Sequence, residues 1–236
     1  MADVITGVLF DASGTLIRIE NTAAWLDVGL AELELELDDK EHAALVARLE
    51  ALGALPGTPA PAFVPEALAG AWALRELDQE AHRTAHIGLA LAARLPDERL
   101  AQVLYDRHLR PEAWQAYPDA LPTLKELRRR RVPVAVVSNI AWDLRPVFQQ
   151  HGLDEFINVY VFSFERSAQK PDPSMFHMAL AEIGRAPEQV LMVGDDASTD
   201  GGAVAIGCTF HQVAHRPVDE RPDALHAVLS LISAAS

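Results

Sequence analysis

The chain has 236 residues, of which 50% are hydrophobic, and it carries a formal net charge of -14 with a pI of about 5.0. This length allows one large domain or a core domain with a smaller companion, and the acidity argues against nucleic acid or an anionic membrane as a partner. A single cysteine, Cys208, excludes an intramolecular disulfide. No apolar run approaches about 18 residues, so we expect a cytoplasmic protein without a membrane span.

The first predicted element is a short buried strand. Residues 4–10 are largely apolar and lead directly into Asp11, after which Gly14 and Thr15 form a turn. Between about residues 20 and 110 the composition changes to Ala, Leu, Glu and Arg with apolar residues at helical spacing. This pattern predicts an all-helical insertion of four or five helices.

Strands and helices then alternate to the end of the chain. We predict helix 119–130, strand 132–137, helix 142–151, strand 159–164, helix 173–184, strand 190–193, helix 199–206, strand 208–213 and helix 222–233. Strands separated by helices indicate an α/β fold of Rossmann-like type, with a parallel sheet and helices on both faces. The run Arg128–Arg131 suits a helix carboxyl terminus that faces solvent.

Polar residues follow several of the predicted strands. They are Asp11 with Gly14 and Thr15, Ser138 with Asn139, Lys170 in the loop before a helix, and Asp195, Asp196 and Asp200 after strand 190–193. Open parallel sheets place their sites at the carboxyl ends of the strands, so we expect these side chains to lie together.

The residue types in this group suit attack on phosphorus or carbon. Asp11, fixed at the end of a buried strand, can act as a nucleophile that forms a covalent ester. A divalent cation held by Asp11 and the pair Asp195–Asp196 would offset the negative charge of a phosphoryl group, and oxygen ligands favour Mg²⁺. Lys170 supplies a compact positive charge for the developing negative charge.

Three further side chains can complete a cradle for the transferring group. Ser138 can donate a hydrogen bond to one of its oxygens, and Thr15 and Asn139 can bind the others.

The four motifs resemble those of the haloacid dehalogenase superfamily. The matching residues are Asp11-Ala12-Ser13-Gly14-Thr15-Leu16, Ser138-Asn139, Lys170-Pro171, and Gly194-Asp195-Asp196 with Asp200. The resemblance covers roughly residues 4–16 and 112–230. It implies a core domain formed by residues 1–16 and 112–236, and a helical cap, residues 17–111, whose movement closes the site.

The resemblance also implies roles for individual residues. Asp11 would be the nucleophile, and Mg²⁺ would be held by Asp11, the main-chain carbonyl of Ser13, and Asp195 or Asp196. Gly14 would lie in the phosphate-binding turn. Asp200 would support the metal-binding loop or Lys170.

Ser13 departs from the pattern of the family's phosphatases, which carry an aspartate there as general acid and base. We therefore expect a Mg²⁺-dependent phosphohydrolase of a small phosphorylated metabolite that works through an aspartyl-phosphate without that aspartate. A second reading is hydrolysis of a C–halogen bond, which needs no proton, or of a C–P bond, for which Lys40, the only lysine of the cap, would form the Schiff base. A third reading is a non-catalytic metal-binding protein with this fold.

Overall fold

The computed structural model describes residues 4–58 and 60–232. The chain divides into two compact units, Met1–Arg18 with Gln115–Ser236, and Ile19–Trp114. The outer ends of the core predicted at residues 1 and 236, and the last residue of the predicted helix 222–233, lie outside the described residues.

The first unit is built on a parallel sheet. The strands of the described chain are β1 (Gly7–Phe10), β2 (Ile17–Ile19), β3 (Trp114–Ala116), β4 (Val134–Ser138), β5 (Val159–Phe162), β6 (Val190–Gly194) and β7 (Thr209–Gln212). Five of them form one sheet in the order β5-β4-β1-β6-β7, and every neighbouring pair is parallel. The predicted α/β fold class is therefore confirmed. A separate two-stranded sheet of β2 and β3 was not predicted, because three residues are too few to show alternation.

Strand β1 lies at the centre of this sheet, and its position explains its composition. Phe10 is in register with Val136 of β4 on one side and with Val193 of β6 on the other. All four β1 residues are buried, as expected for a strand covered on both faces. The order of the strands reverses at β1, which places a crevice at its carboxyl end, where Asp11 follows.

The helices of the described chain are divided between the units. They are α1 (Thr22–Glu32), α2 (Asp39–Ala51), α3 (Ala69–Leu74), α4 (Gln79–Ala92), α5 (Arg99–Leu109), α6 (Ala120–Arg129), α7 (Arg145–Gln150), α8 (Ser163–Arg166), α9 (Pro173–Ile183) and α10 (His226–Leu231). The first five belong to the unit Ile19–Trp114 and the rest to the sheet-containing unit. None of these helices combines the length and the apolar character needed to cross a bilayer.

Helix α9 shows how the sequence sets the limits of an element. Its amino end is capped by the Asp172 side chain, which accepts a hydrogen bond from the Ser174 amide at 2.8 Å. Its carboxyl end is Gly184, which adopts a left-handed conformation with φ of 65°. Between them, Met175 and Phe176 are fully buried in the core on one face of the sheet. The helix thereby fixes the loop that carries Lys170.

The carboxyl-terminal elements are shorter than predicted. The segment predicted as helix 199–206 is a 3₁₀ helix, Asp200–Ile206. The predicted helix 222–233 is reduced to α10, because the Asp119 carboxylate accepts hydrogen bonds from the amides of Ala224 and Leu225 at 2.5 and 2.6 Å. Those two amides are held at the start of the helix by a side chain from α6's amino end.

Candidate active site

Lys170 joins two buried carboxylates from different parts of the chain. Its Nζ donates hydrogen bonds to Asp11 Oδ1 and to Asp200 Oδ1, each at 2.6 Å. The three residues are at most 7% exposed. Asp11 follows β1, Asp200 begins the 3₁₀ helix after β6, and Lys170 precedes α9. The adjacent parallel strands β1 and β6 end at the same edge, so these distant residues meet there.

Burial perturbs all three charges. It raises the pKa of Asp11 and the pKa of Asp200, against the opposing pull of the Lys170 ammonium. Burial also opposes the charge of Lys170, but the Asp11 and Asp200 carboxylates hold the pKa of Lys170 above its usual range. The single Lys170 ammonium is therefore shared by two carboxylates in a site that is largely shielded from water. The two carboxylates together carry more negative charge than the one ammonium offsets.

A third carboxylate adds to this excess. Oxygen atoms of Asp11, Asp195 and Asp200 lie within 4.8 Å of one another, a spacing that suits three ligands of one cation. The neighbouring Asp196 has a different environment, because its Oδ1 accepts hydrogen bonds from the Ser198 amide at 2.8 Å and hydroxyl at 2.6 Å. Of the two carboxylates predicted as alternatives for the metal, the structure brings Asp195 to Asp11.

The turn after β1 brings its main chain close to Asp195. Gly14 has a φ of 84°, and a Cβ atom there would overlap the Asp195 carboxylate and the His215 ring, so glycine is required on both counts. Thr15 donates a long hydrogen bond of 3.4 Å to Asp11 Oδ2. Ser13, between Asp11 and Gly14, is partly exposed and offers a hydroxyl where a carboxylate was the family expectation.

Ser138 and Asn139, at the carboxyl end of β4, lie in different environments. Ser138 is the last residue of β4 and is 2% exposed. Asn139 uses its whole amide group on the main chain of Lys170, since its Oδ1 accepts from the Lys170 amide at 2.7 Å and its Nδ2 donates to the Lys170 carbonyl at 3.0 Å. Asn139, predicted as a phosphate ligand, therefore supports Lys170 in this structure.

Two residues of the site were missed from the sequence. Arg221 is buried, and its guanidinium donates to the main-chain carbonyls of Gly14 at 2.8 Å and Thr15 at 2.5 Å. Burial lowers the pKa of Arg221. The His215 Nδ1 atom contacts Asp195 Oδ2. His215 closely follows β7, so the strand-end rule that selected Asp11 could have found it, whereas Arg221 lies further along the chain, beyond a 3₁₀ helix.

Comparison with known proteins identifies the family. A family profile described as haloacid dehalogenase-like hydrolase matches residues 5–206. The chain belongs to the haloacid dehalogenase-like hydrolases. The predicted resemblance is confirmed.

Relatives in the family catalyse more than one reaction. The chain is 27% identical to (S)-2-haloacid dehalogenase 4A of Burkholderia cepacia over 88% of this chain and 82% of that protein. It is also 27% identical to phosphoglycolate phosphatase of Shigella boydii over 86% of this chain and 79% of that protein. The chain is equally identical to a dehalogenase and to a phosphatase, so sequence identity does not distinguish the two reactions.

Other matches are shorter. The chain is 40% identical to phosphoserine phosphatase of Thermus thermophilus over 36% of this chain and 34% of that protein. It spans less than half the length of the first four curated relatives that it matches. Among solved structures, a dehalogenase crystal structure superposes with a TM-score of 0.70 at 21% identity over the full length of both chains, a likeness of fold.

Proposed function

We propose that this hydrolase is a Mg²⁺-dependent phosphohydrolase that forms an aspartyl-phosphate on Asp11 and acts on a small phosphorylated metabolite. The observation that carries the proposal is the approach of three carboxylates, Asp11, Asp195 and Asp200, of which Lys170 binds two, Asp11 and Asp200. This excess of negative charge would repel an anionic substrate unless a cation were bound. A 2-haloacid carries one negative charge where a phosphomonoester carries up to two, so a halide-releasing enzyme needs such a cation less.

The donor set fits Mg²⁺. The ion would be held by Asp11, Asp195 and the main-chain carbonyl of Ser13, which are all oxygen ligands and do not require any particular side chain at residue 13. When bound, it would neutralise phosphoryl oxygens and hold the group facing the nucleophile.

The contacts of Asp11 distinguish its two oxygens. Lys170 holds Oδ1 at 2.6 Å, whereas Oδ2 accepts only the long hydrogen bond of 3.4 Å from Thr15 among the described residues. The more weakly held Oδ2 is suited to attack phosphorus. The new Asp11–phosphorus ester forms as the bond to the leaving alcohol oxygen breaks, and Lys170 and Ser138 stabilise the phosphoryl oxygens.

A water molecule then attacks phosphorus, which releases inorganic phosphate and restores the Asp11 carboxylate. In the first step the leaving alkoxide takes up a proton, and in the second the attacking water loses one. The Ser13 hydroxyl does not ionise usefully at neutral pH, so these protons are exchanged with solvent or with a group outside the first motif. We therefore expect the enzyme to favour leaving groups that need little protonation.

The test compares wild type, Ser13→Asp and Asp11→Asn on an aryl phosphate and an alkyl phosphate, with and without Mg²⁺. Wild type should release phosphate in a Mg²⁺-dependent way and prefer the aryl ester. Ser13→Asp should raise kcat on the alkyl ester by about 10²–10⁴-fold, the usual contribution of a general acid, and change the aryl ester far less. Full activity of Asp11→Asn would overturn the proposal.

One observation favours C–halogen hydrolysis as a second candidate. Ser13 removes the acid that a phosphatase uses and that a halide leaving group does not need. Lys40, which the C–P alternative requires, is exposed in the first turn of α2 and does not add to that case. Halide release from a 2-haloacid in the presence of a chelator, with no phosphate release from any ester, would establish this candidate in place of the first.

A further inference from the structure

A cavity of 290 Å³ lies at the other edge of the sheet from Asp11. Its lining includes Val132 and Pro133, which precede β4, and Asn158 and Arg185, which precede β5 and β6. These positions are at the amino ends of parallel strands, whereas the residues around Asp11 follow the carboxyl ends. The length of the strands, about 3.3 Å per residue, therefore separates the cavity from the candidate active site.

The charge around this cavity is opposite to that of the whole chain. Three arginines, Arg128, Arg131 and Arg185, line it against one carboxylate, Glu155. Arg128 pairs with Glu155 at 3.1 Å, so the charges of the other two arginines are not offset by an acidic residue of the lining. In a protein with a net charge of -14, this concentration of positive charge is a local feature.

Arg131 differs from its neighbours in the arginine run. Arg129 and Arg130 each form an ion pair with Glu126 at 2.7 Å, and so stabilise the end of α6. The Arg131 guanidinium makes no hydrogen bond or ion pair with any residue in the ranges 4–58 and 60–232. The solvated helix end predicted from the sequence accounts for Arg129 and Arg130, but it gives no partner to Arg131.

The backbone at Arg131 is the second unusual feature. Arg131 follows Arg130, the residue that caps α6, and has a φ of 60°. Glycine adopts this left-handed conformation without cost, whereas other residues adopt it at some cost. The Arg131 amide donates to the Arg128 carbonyl at 2.9 Å, so the turn closes through the main chain alone. The arginine side chain is not needed to end the helix.

Arg185 lines the cavity and has hydrogen-bond donors that no described residue uses. Its Nε donates to the Thr6 carbonyl at 3.2 Å and its Nη1 to the Gly184 carbonyl at 2.9 Å, which fixes the guanidinium plane. Its Nη2 makes no hydrogen bond or ion pair with the residues that the structure describes. A guanidinium with fixed geometry and free donors is suited to bind the oxygens of a phosphate.

We propose that this cavity is a second anion site that binds a phosphoryl dianion between Arg131 and Arg185. The apolar part of the lining, Val132, Pro133 and Ile183, can accept a small organic body attached to the phosphate. The dianion is either inorganic phosphate or a phosphomonoester, and the two share the same recognition. The site stands independently of the reaction catalysed at Asp11.

The test is a titration of the ¹⁵N-labelled protein without Mg²⁺, followed by NMR at the amides of Val132, Asn158 and Arg185. Inorganic phosphate and phenyl phosphate are the two ligands. We expect saturable shifts in wild type, and an increase in the dissociation constant of about 10- to 100-fold in Arg131→Gly and in Arg185→Ala, the effect of losing a charged hydrogen-bond donor. Tighter binding of phenyl phosphate identifies an organic ligand, and equal binding identifies free phosphate.

Two controls keep the result interpretable. Arg129→Ala removes the same charge from the same helix end but not from the cavity, so its dissociation constant should equal that of wild type. Arg131→Gly should keep or raise the melting temperature, because glycine fits a φ of 60°. The proposal is wrong if wild type shows no saturable shifts at these amides, or if Arg129→Ala weakens binding as much as Arg131→Gly.

Discussion

Asp195 and Asp196 are adjacent in the chain, yet their carboxylates have different partners. Asp195 lies with Asp11 and Asp200, whereas Asp196 is hydrogen-bonded to Ser198. Spacing alone left both open as metal ligands, because a tight turn after a strand can point either side chain at the crevice. The choice follows from the Ser198 amide and hydroxyl, whose bonds to Asp196 depend on local backbone angles.

This difference gives a prediction at the scale of single residues. Asp195→Asn should weaken Mg²⁺ binding by at least about 10- to 100-fold, since even residues that only support metal ligands have effects of that size. Asp196→Asn makes the same chemical change one residue away and should leave Mg²⁺ affinity near that of wild type. Calorimetric titration of Mg²⁺ into each variant measures both affinities, and equal affinities would remove Asp195 from the metal site.

Residue types at the strand ends were sufficient to predict Asp11, Lys170 and Asp200 as neighbours. Because the strands are parallel, their carboxyl ends lie at the same edge of the sheet, and residues far apart in the sequence meet there. The roles of Asn139 and Arg221 could not be predicted, because both bind main-chain atoms, and any loop offers such atoms. A side chain that recognises a backbone carbonyl leaves no complementary residue in the sequence.

Among the structural elements, the turn after β1 is constrained in two ways. Gly14 combines a left-handed backbone with a close approach to Asp195, and Arg221 fixes the carbonyls of Gly14 and Thr15. Backbone strain and side-chain crowding are separate reasons for a glycine. A second glycine, Gly184, shows backbone strain without crowding. Gly184 also has a positive φ, of 65°, but a Cβ atom there would meet no atom within 4 Å.

The two glycines make a matched test at the scale of elements. Gly184→Ala should lower the free energy of unfolding by about 1 kcal/mol through strain alone and keep full activity. Gly14→Ala should lose kcat and Mg²⁺ affinity as well, because its methyl group displaces Asp195. Parallel denaturation curves and steady-state kinetics measure both effects. If Gly14→Ala kept the activity of Gly184→Ala, crowding at Asp195 would have no functional role.

Elements were predicted best where tertiary structure reinforces local pattern. Strands β1, β4, β5 and β6 carry apolar runs and are almost wholly buried, and their existence was predicted correctly. Elements that depend on distant partners were not, such as β2 with β3, and the late start of α10, which is set by Asp119. In these cases the deciding contact comes from a residue far along the chain.

At the scale of the whole molecule, the helical unit contains three buried histidines, His82, His86 and His108. The rings of His82 and His86 are 4.4 Å apart, and those of His82 and His108 are 5.2 Å apart. His86 Nδ1 lies 3.1 Å from the Ala54 carbonyl. Burial lowers the pKa of all three imidazoles, and that of His86 falls to about 4. The folded unit therefore holds them neutral.

This burial predicts acid sensitivity. Below the ordinary histidine pKa of about 6.5 the unfolded chain binds protons that the folded chain does not, so stability falls as pH falls. For His86 this loss extends from about pH 6.5 to about pH 4. Each such histidine contributes about 1.4 kcal/mol per pH unit.

His86→Gln keeps a hydrogen-bond donor but does not titrate, and should flatten the dependence of stability on pH. His177→Gln, at an exposed position, is the control and should not. Denaturation from pH 7 to 4.5, followed by tryptophan fluorescence, measures the slope, since Trp25, Trp72 and Trp114 lie in the helical unit. Equal slopes for wild type and His86→Gln would contradict the prediction.

Each step of the proposed reaction requires Asp11 to act as a nucleophile on phosphorus. The most direct measurement is rapid acid quenching of wild type during turnover of an aryl phosphate with Mg²⁺, followed by peptide mass spectrometry. We predict a phosphoryl group on the peptide that contains Asp11, at the Asp11 carboxylate, and its absence in Asp11→Asn and in the chelated enzyme. Phosphate release with the phosphoryl group on another residue, or unchanged turnover by Asp11→Asn, would contradict the mechanism.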